Sequence, residues 1–245
     1  MFLDREVTYH SAMTDRSSWR QRLRPVLFPI WRLLRIWSNH FSRGNLPQWV
    51  KQRRQEISGD VLNVGAGGEL SALVQPCLSI DIDPKRAPDR VVDVCCLDAE
   101  FDAAQFDAVF LIEVLEHVQD PQRALAQIER VLKPGGRLVF SVPSSFEMHD
   151  TPYDFWRFTQ FGLARLLTPF EDVQINRRNG YVRAAFTPLT RLWLSPHWPD
   201  RLIGVGFLLL AVPLYPLIWL ADQCIKSEAL ATGYHVTARK KPEGN

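Results

Sequence analysis

Few cysteines and little net charge distinguish this 245-residue sequence. Its four cysteines show neither the spacing of a zinc site nor that of a disulfide framework; they are Cys77, Cys95, Cys96 and Cys224. The formal net charge of +2 does not favour polymeric nucleic acid as a partner, because phosphate binding usually requires a strong basic excess. The sequence therefore predicts reduced cysteines, no bound metal and no nucleic-acid partner.

A hydrophobic leader is also missing from the sequence. Residues 1–20 are polar and carry five charged positions that would interrupt an apolar leader: Asp4, Arg5, Glu6, Asp15 and Arg16. This composition predicts no signal peptide and a cytoplasmic location. A chain of this length with 46% hydrophobic residues can bury one substantial core, so we expect one enzyme-sized domain with additions.

Three parts follow from the composition along the chain: an N-terminal basic arm (1–56), a central block (57–176) and a C-terminal extension (177–245). Over residues 19–37 of the arm, bulky apolar residues alternate with arginines at helix-compatible spacing, interrupted by Pro25 and Pro29. The pattern predicts one or two short amphipathic helices. They would either cap the domain or lie in a membrane interface with the arginines toward anionic headgroups.

The central block alternates strand-like and helix-like segments. Asp120 and Pro121 begin a helical stripe that residues 133–136 end, between the last two apolar runs. The longest runs are almost continuously hydrophobic, as in strands that are buried on both faces. The predicted strands are Asp60–Val64, Leu78–Ile80, Val91–Val92, Phe106–Ile112 and Arg137–Val142. This order predicts a parallel sheet with crossover helices.

Ligand-binding signals follow three successive predicted strands. Gly65–Gly68 comes directly after the first, where a chain without side chains can turn sharply and let a ligand approach the backbone. A dinucleotide fingerprint would require a third glycine where Leu70 stands, which disfavours a nicotinamide oxidoreductase. Asp81 ends the second run, where a carboxylate can accept hydrogen bonds from ribose hydroxyls, and Asp93 ends the third. The pattern predicts a nucleoside-type ligand at this edge of the sheet.

With these features the sequence resembles the class I S-adenosylmethionine-dependent methyltransferases, of the methyltransferase type 11-like group that includes ubiquinone-pathway and malonyl-carrier-protein enzymes. The matching pieces occur in the family's order and are Val61–Gly67, Ile80–Pro84, Phe106–His117 and Leu132–Gly136. The resemblance implies an α/β fold with a Rossmann-like, doubly wound, mostly parallel seven-stranded sheet. Its last strand would be antiparallel, and the N-terminal helical arm and hydrophobic C-terminal insertion would be added to it.

The resemblance also implies S-adenosylmethionine as the cofactor. Gly65 and Gly67 would face its amino-acid part, Asp81 would hold the ribose, and Glu113 would border the methionine moiety or shape the floor of the site. The full implied set is Asn63, Gly65, Ala66, Gly67, Asp81, Ile82, Asp93, Val94 and Glu113, with Asp93 and Val94 at the adenine. Two positions depart from the family: Asn63 replaces a common aspartate and Glu69 a common glycine. Both favour an alternative, a non-catalytic binding or membrane-associated scaffold protein.

Methyl transfer is an in-line displacement from an activated sulfonium, so positioning supplies much of the acceleration. A base is needed only if the acceptor must lose a proton. The candidate bases are His117, whose alternative role is to bond within its loop or cap the next helix, and the neighbouring pair His149 and Asp150.

The segment 149–159 resembles a stretch of methyltransferases that act on sugars and cell-envelope polymers. This resemblance implies Tyr153, Trp156 and Arg157 as acceptor contacts, although Trp156 and Arg157 could equally form a packed cation–π pair. We therefore expect methylation of oxygen, with nitrogen or carbon less favoured. The acceptor would be small, sugar-containing or lipid-linked.

The C-terminal extension raises the question of a membrane. Residues 202–221 carry no charge and are long enough to cross a bilayer, but Gly204, Gly206, Pro213 and Pro216 interrupt a helix there. Residues 233–239 alternate like a strand, and by resemblance they form the last strand beside the fifth. A single crossing would leave that strand on the wrong side of the membrane. We therefore expect a bent helix pair that packs on the domain, packs on a second copy, or dips into the cytoplasmic leaflet.

Overall fold

A computed structural model describes residues 18–242, with side chains from residue 28 onward. The strands are β1 (Val61–Val64), β2 (Leu78–Asp81), β3 (Arg90–Val91), β4 (Phe106–Ile112), β5 (Leu132–Pro143), β6 (Phe170–Arg177) and β7 (Gly233–Lys240). The helices are α1 (Ser18–Arg43), α2 (Leu46–Gln55), α3 (Gly68–Ser71), α4 (Pro121–Val131), α5 (Gln160–Leu166), α6 (Tyr181–Arg191), α7 (Trp198–Ala211) and α8 (Tyr215–Cys224).

The seven strands form one sheet in the order β3-β2-β1-β4-β5-β7-β6. Strands β1 to β5 pair in parallel, and β7 is inserted antiparallel between β5 and β6. The predicted α/β class, the mostly parallel seven-stranded sheet and the antiparallel last strand are therefore confirmed. The carboxyl ends of β1, β2, β4 and β5 meet at one edge, which is where ligands bind in open sheets of this type.

The core has two layers because alternate residues of each strand face opposite sides of the sheet. On β4, Val109 and Leu111 pack with α4, whereas Ala108 and Phe110 pack with α2. The four are almost completely buried. Helix α4 begins as predicted, because the Asp120 side chain accepts a hydrogen bond from the backbone N–H of Arg123.

The N-terminal arm differs from the prediction of one or two short helices. Helix α1 runs without a break through both Pro25 and Pro29. A proline removes a single backbone hydrogen bond, and packing can carry the helix past it. Here α1 packs against α6 and α7, and its Phe41 is fully buried with Tyr215 of α8 at 5.4 Å between ring centroids. Within the predicted membrane segment 19–37, the side chains of residues 19–27 lie outside the described part.

The hydrophobic extension forms the expected bent pair of helices. Helices α7 and α8 meet at 76° around a break that contains Pro213, and Pro216 lies in the first turn of α8. A side chain at Gly204 would collide with the backbone of Trp193, so only glycine permits this packing. Within residues 18–242 no single helix is long and apolar enough to cross a membrane; α7 and α8 meet that criterion only together.

Candidate active site

The glycine turn and the Asp81 carboxylate meet at the carboxyl edge of the sheet. Gly65 has φ +90° and Gly68 φ +87°, conformations that disfavour side chains. A side chain at Gly65 would also collide with Val114, which follows β4. The backbone N–H of Ala66 donates to Asp81 Oδ2 at 3.0 Å, so the turn and the end of β2 form one unit.

This unit suits a nucleoside. Asp81 Oδ1 accepts from the N–H of Asp83 at 2.9 Å, and each carboxylate oxygen keeps a second lone pair for a ribose hydroxyl. Ile82 beside it is 69% exposed, an apolar surface against which a base can pack. Asp93 is exposed but uses its carboxylate to accept from the N–H of Cys95, and Val94 is buried. The predicted residues from β1 and β2 therefore lie together, with Asp93 and Val94 beyond them along the edge.

Arg86 is a site residue that the sequence prediction missed. Its Nε lies 3.9 Å from Asp81 Oδ2, and its Nη2 lies 3.7 Å from Asp150 Oδ2. The guanidinium occupies the place that a side chain on Gly67 would take. Exposed ion pairs of this length contribute little, so a ligand can displace the arginine. The Lys85–Arg86 pair after Pro84 was the only signal in the sequence.

Asn63 and Glu113, two predicted cofactor residues, are buried and bonded within the protein. Asn63 Nδ2 donates to Ser71 Oγ at 2.6 Å. The Glu113 carboxylate accepts from Ser141 Oγ at 2.9 Å and from Arg178 Nη2 at 2.5 Å. Burial raises the pKa of Glu113, but Arg178 outweighs it and the pKa is lowered overall. Ser141 and Arg178 therefore hold the carboxylate in place, an arrangement compatible with the expected role of shaping the floor of the site.

Three side chains with acidic or imidazole groups converge next to this crevice. Glu116 and His117 lie in the 3-10 turn after β4, and His149 lies in the loop after β5. Glu116 Oε1 is 3.8 Å from His117 Nε2 and 3.8 Å from His149 Nε2. The glutamate is fully buried, and neither of its oxygens has a hydrogen-bond partner among the described residues. Glu116 was missed by the prediction, although it lies inside the Leu115–His117 motif.

The electrostatics of the cluster follow from burial and from its acids. Burial raises the pKa of Glu116. Burial lowers the pKa of His149, but Glu116 and then Asp154 outweigh it, so the pKa is raised overall. Asp150 is not the partner of His149: its carboxylate faces Arg86, and Asp154 takes its place 3.4 Å from His149 Nδ1. The left-handed backbone at Asp150, with φ +49°, accompanies this orientation.

His117 forms a hydrogen bond that the sequence did not predict, because it joins two loops and does not lie within one. Its Nδ1 lies 2.8 Å from the carbonyl oxygen of Tyr153, so it links the turn after β4 to the loop after β5. It does not cap the next helix, because Asp120 performs that function.

Among the predicted acceptor contacts, Tyr153 is the most available, with 63% of its surface exposed. Trp156 is 42% exposed, and its indole N–H donates to the carbonyl of Val118. Arg157 is bonded to Asp154 by both terminal nitrogens at 2.6 Å, rather than to the Trp156 ring. Arg157 therefore stiffens the loop.

Comparison with known proteins identifies the central block. Residues 62–140 match a family model described as a methyltransferase domain. Residues 62–140 are therefore similar to a methyltransferase domain. Ubiquinone biosynthesis O-methyltransferases of Pseudomonas entomophila and Coxiella burnetii are 32% and 36% identical to this chain over 111 residues. The aligned part is 38% of this chain and 48% and 47% of those proteins, so the chain spans about half the length of the curated relatives it matches.

Solved structures agree on the fold of the methyltransferase domain. An S-adenosylmethionine-dependent methyltransferase from Archaeoglobus fulgidus is similar with a TM-score of 0.51 and 17% identity, over 82% of this chain and 97% of that one. A methyltransferase from Thermotoga maritima has a TM-score of 0.52 and 13% identity, over 91% and 98%. The family and the fold together support the predicted cofactor, S-adenosylmethionine.

Proposed function

We propose that the protein is an S-adenosylmethionine-dependent methyltransferase that methylates an oxygen of its acceptor. The observation that carries the proposal is the hydrogen bond from the Ala66 amide to Asp81, which joins the glycine turn to a carboxylate with free lone pairs. The curated relatives are named O-methyltransferases, which favours oxygen over nitrogen or carbon. The domain match leaves the nicotinamide alternative without support.

The residues of the chain contribute mainly by positioning. The turn at Gly65 and Gly67 leaves room for the amino-acid part of the cofactor, and Asp81 orients the ribose. An acceptor hydroxyl must lose a proton, and the cluster of His117, His149 and Glu116 offers imidazole groups beside the crevice that could receive it. The acceptor oxygen then forms a bond to the methyl carbon while the carbon–sulfur bond breaks and its electron pair stays on sulfur.

Calorimetric titration of S-adenosylhomocysteine into the full chain tests the cofactor site. We expect Asp81→Ala to weaken binding by about 100-fold or more, because charged hydrogen bonds to two hydroxyls contribute about 3 kcal/mol together. Asp98→Ala is the matched control, because Asp98 is also an exposed aspartate but is not among the predicted cofactor contacts. Absence of binding by the unaltered chain would refute the proposal. Binding without turnover on any membrane or glycan extract would favour the scaffold alternative.

We also propose that the acceptor is lipid-linked, with a sugar part facing Tyr153, and that the protein reaches it on the cytoplasmic face of a membrane. Large apolar side chains are exposed on α1, α7 and α8, three helices that share contacts with one another or with α6. On α7 and α8 they are Trp198, Leu202, Ile203, Leu209, Leu210, Leu217, Trp219 and Leu220. On the described part of α1 they are Phe28, Ile30, Trp31, Leu33 and Ile36. Exposed apolar groups at this density are typical of an interaction surface.

A membrane fits this surface because basic residues accompany the apolar ones. Arg32 and Arg35 are exposed on α1, and Arg201 is exposed on α7. The combination of tryptophan, leucine and arginine is that of an interfacial helix on anionic lipid.

The helices are also linked to the loop that follows β5. Arg191 at the end of α6 pairs with Glu147 and lies 4.4 Å from the ring of Phe146, which is 5.4 Å from the ring of His149. Arg191 Nη1 also reaches Ser42 of α1 at 3.3 Å. The helices that would contact lipid are therefore connected through α6 to the loop that carries His149.

Co-sedimentation with phospholipid vesicles tests this part of the proposal. We expect the full chain to sediment with anionic vesicles more than with neutral ones, and replacement of Leu209 and Leu217 by aspartate to abolish sedimentation. Phe161→Asp is the matched control, because Phe161 is 77% exposed on α5 and lies outside the three helices. A full-length protein that stays monodisperse and does not sediment would refute membrane contact.

A further inference from the structure

We propose that Glu116, His117 and His149 form a binding site for a divalent transition-metal ion of the Zn²⁺ class beside the methyltransferase crevice. One carboxylate oxygen and one nitrogen from each histidine all lie within 4.8 Å of one another. The sequence prediction contained no metal, because two of these residues are adjacent in a turn and the third comes from a distant loop.

The hydrogen bonds on the far side of each ring determine which nitrogen can bind a cation. His117 Nδ1 faces the carbonyl oxygen of Tyr153 at 2.8 Å. His149 Nδ1 faces the carbonyl of Glu147 at 3.3 Å and the Asp154 carboxylate at 3.4 Å. These oxygens can only accept, so each Nδ1 carries the hydrogen and each Nε2 of a neutral ring presents a lone pair. An outer carboxylate or carbonyl on Nδ1 is the usual support of a metal-binding histidine.

Three lone-pair donors therefore face the same small volume. The third is Glu116, whose buried carboxylate lacks a hydrogen-bond partner on both oxygens among the described residues. A buried charge without a partner is strongly unfavourable, so a positive charge must occupy this place when the carboxylate is ionised. The candidates are protons on the histidines and a metal ion.

The spacing of the three atoms favours a metal ion. Both nitrogen–oxygen distances are 3.8 Å, longer than any hydrogen bond that a shared proton would form. Ligand atoms around a tetrahedral ion with bonds of about 2.1 Å lie about 3.4 Å apart, so the side chains must rotate inward to bring atoms that lie within 4.8 Å of one another onto one ion. Two imidazole nitrogens and one carboxylate favour Zn²⁺ and related transition metals over Mg²⁺, which prefers oxygen ligands.

The position of the site suggests its role, and this part of the inference rests on the proposed methyltransferase function. Glu116 and His149 follow the neighbouring strands β4 and β5 at the ligand-binding edge, and both histidines are about one-fifth exposed, at 20% and 22%. Arg86 bridges Asp81 to Asp150, the residue next to His149. A cation held here would contact an acceptor hydroxyl and lower its pKa, so that its proton leaves to solvent before the oxygen attacks the methyl carbon.

Metal binding is tested on the full chain after removal of any affinity tag and treatment with a chelator. Titration with Co²⁺ should produce visible d–d absorption that saturates at one ion per chain and disappears when Zn²⁺ displaces it. We expect Glu116→Gln and His149→Ala to abolish the absorption. His197→Ala should leave it unchanged, because His197 is an exposed histidine directly before α7 and is not part of the cluster.

A second variant distinguishes a direct effect on metal binding from misfolding. Asp154→Asn keeps all three ligands and should weaken Co²⁺ binding by about 10- to 100-fold through the loss of support at His149 Nδ1. Binding of S-adenosylhomocysteine, measured on the same samples, reports folding and the proposed function independently of the metal.

The proposal is overturned if the unaltered chain binds neither Co²⁺ nor Zn²⁺, if it binds Mg²⁺ in preference, or if His197→Ala removes the absorption as fully as His149→Ala does. If the unaltered chain binds Co²⁺ but does not bind S-adenosylhomocysteine, the methyltransferase proposal is refuted and the metal-site proposal is not affected.

Discussion

Replacement of His235 should remove a specific part of the pH dependence of stability. His235 on β7 is only 4% exposed, and its ring stacks on Trp49 of α2 at 4.4 Å between centroids. Burial, and then repulsion by Arg178, lower its pKa from 6.5 to about 3, and Glu113 opposes this only in part. The folded state therefore keeps the ring neutral at pH values at which the unfolded chain protonates it.

The sign and size of the effect follow from this difference. A group whose pKa is lower in the folded state stabilises fully above its unfolded pKa and loses that contribution as the pH falls toward the folded value. Between pH 7.5 and pH 5 the loss for His235 is about 2 kcal/mol, from about 1.4 kcal/mol per pH unit below the unfolded pKa. The free energy of unfolding should fall with this slope over most of the range from pH 6.5 down to about 3.

Urea unfolding followed by far-ultraviolet circular dichroism at several pH values measures the effect. His235→Phe keeps an aromatic ring against Trp49 but cannot titrate. We expect the unaltered protein to lose about 2 kcal/mol more than this variant between pH 7.5 and pH 5, since the other titrating groups are common to both. Equal pH slopes for the two proteins would show that His235 is protonated in the folded state and would refute the reasoning.

Two further predictions concern the cofactor turn and its floor. Gly65→Ala should destabilise the fold by about 1–3 kcal/mol in thermal unfolding and abolish S-adenosylhomocysteine binding, because the new side chain has positive φ and collides with Val114. Gly68→Ala, with similar φ but open space around it, should cost less; equal effects would contradict the collision. Arg178→Met should destabilise by about 3–5 kcal/mol in urea, because it leaves Glu113 buried without its cation. Adding Glu113→Gln should restore most of this loss, and no restoration would contradict the ion-pair explanation.

The sheet could be predicted because its signals are local. The runs that became β4 and β5 are hydrophobic on both faces, and Asp120 with Pro121 marks the start of α4. The alternation of residues 233–239 predicted a strand, and the family resemblance placed it beside β5, as the structure shows.

The prediction for α1 was wrong because it treated each proline as a local break. The C-terminal part of the helix packs through Phe41 against α7 and α8, and contacts between such distant segments cannot be inferred from spacing. The buried ion pair of Asp222 with Arg183, which joins α8 to α6, was equally invisible in the sequence.

In the candidate site, the positions of residues along the sheet were predicted better than the partners of their side chains. The glycine turn and Asp81 were assigned correctly to one edge of the sheet, because a parallel sheet brings all its carboxyl ends to that edge. His149 and Asp150 were predicted as a neighbouring pair of candidate bases, but the chain turns at this point, so that Asp150 faces Arg86 and Asp154 lies beside His149.

The sequence by itself predicted the strands β1 to β5 and β7, the helix α4, the resemblance of this block to a methyltransferase domain, and the edge of the sheet where Asp81 lies. Only the tertiary structure decided what each polar group does there. It bonded Glu113 to Arg178, placed Arg86 across the crevice, and brought Glu116 to His149 from the ends of two adjacent strands. Periodicity and spacing report the environment of one residue at a time. The contact between two side chains depends on the strand order, the loop path and the rotamers, which become defined only when the chain is folded.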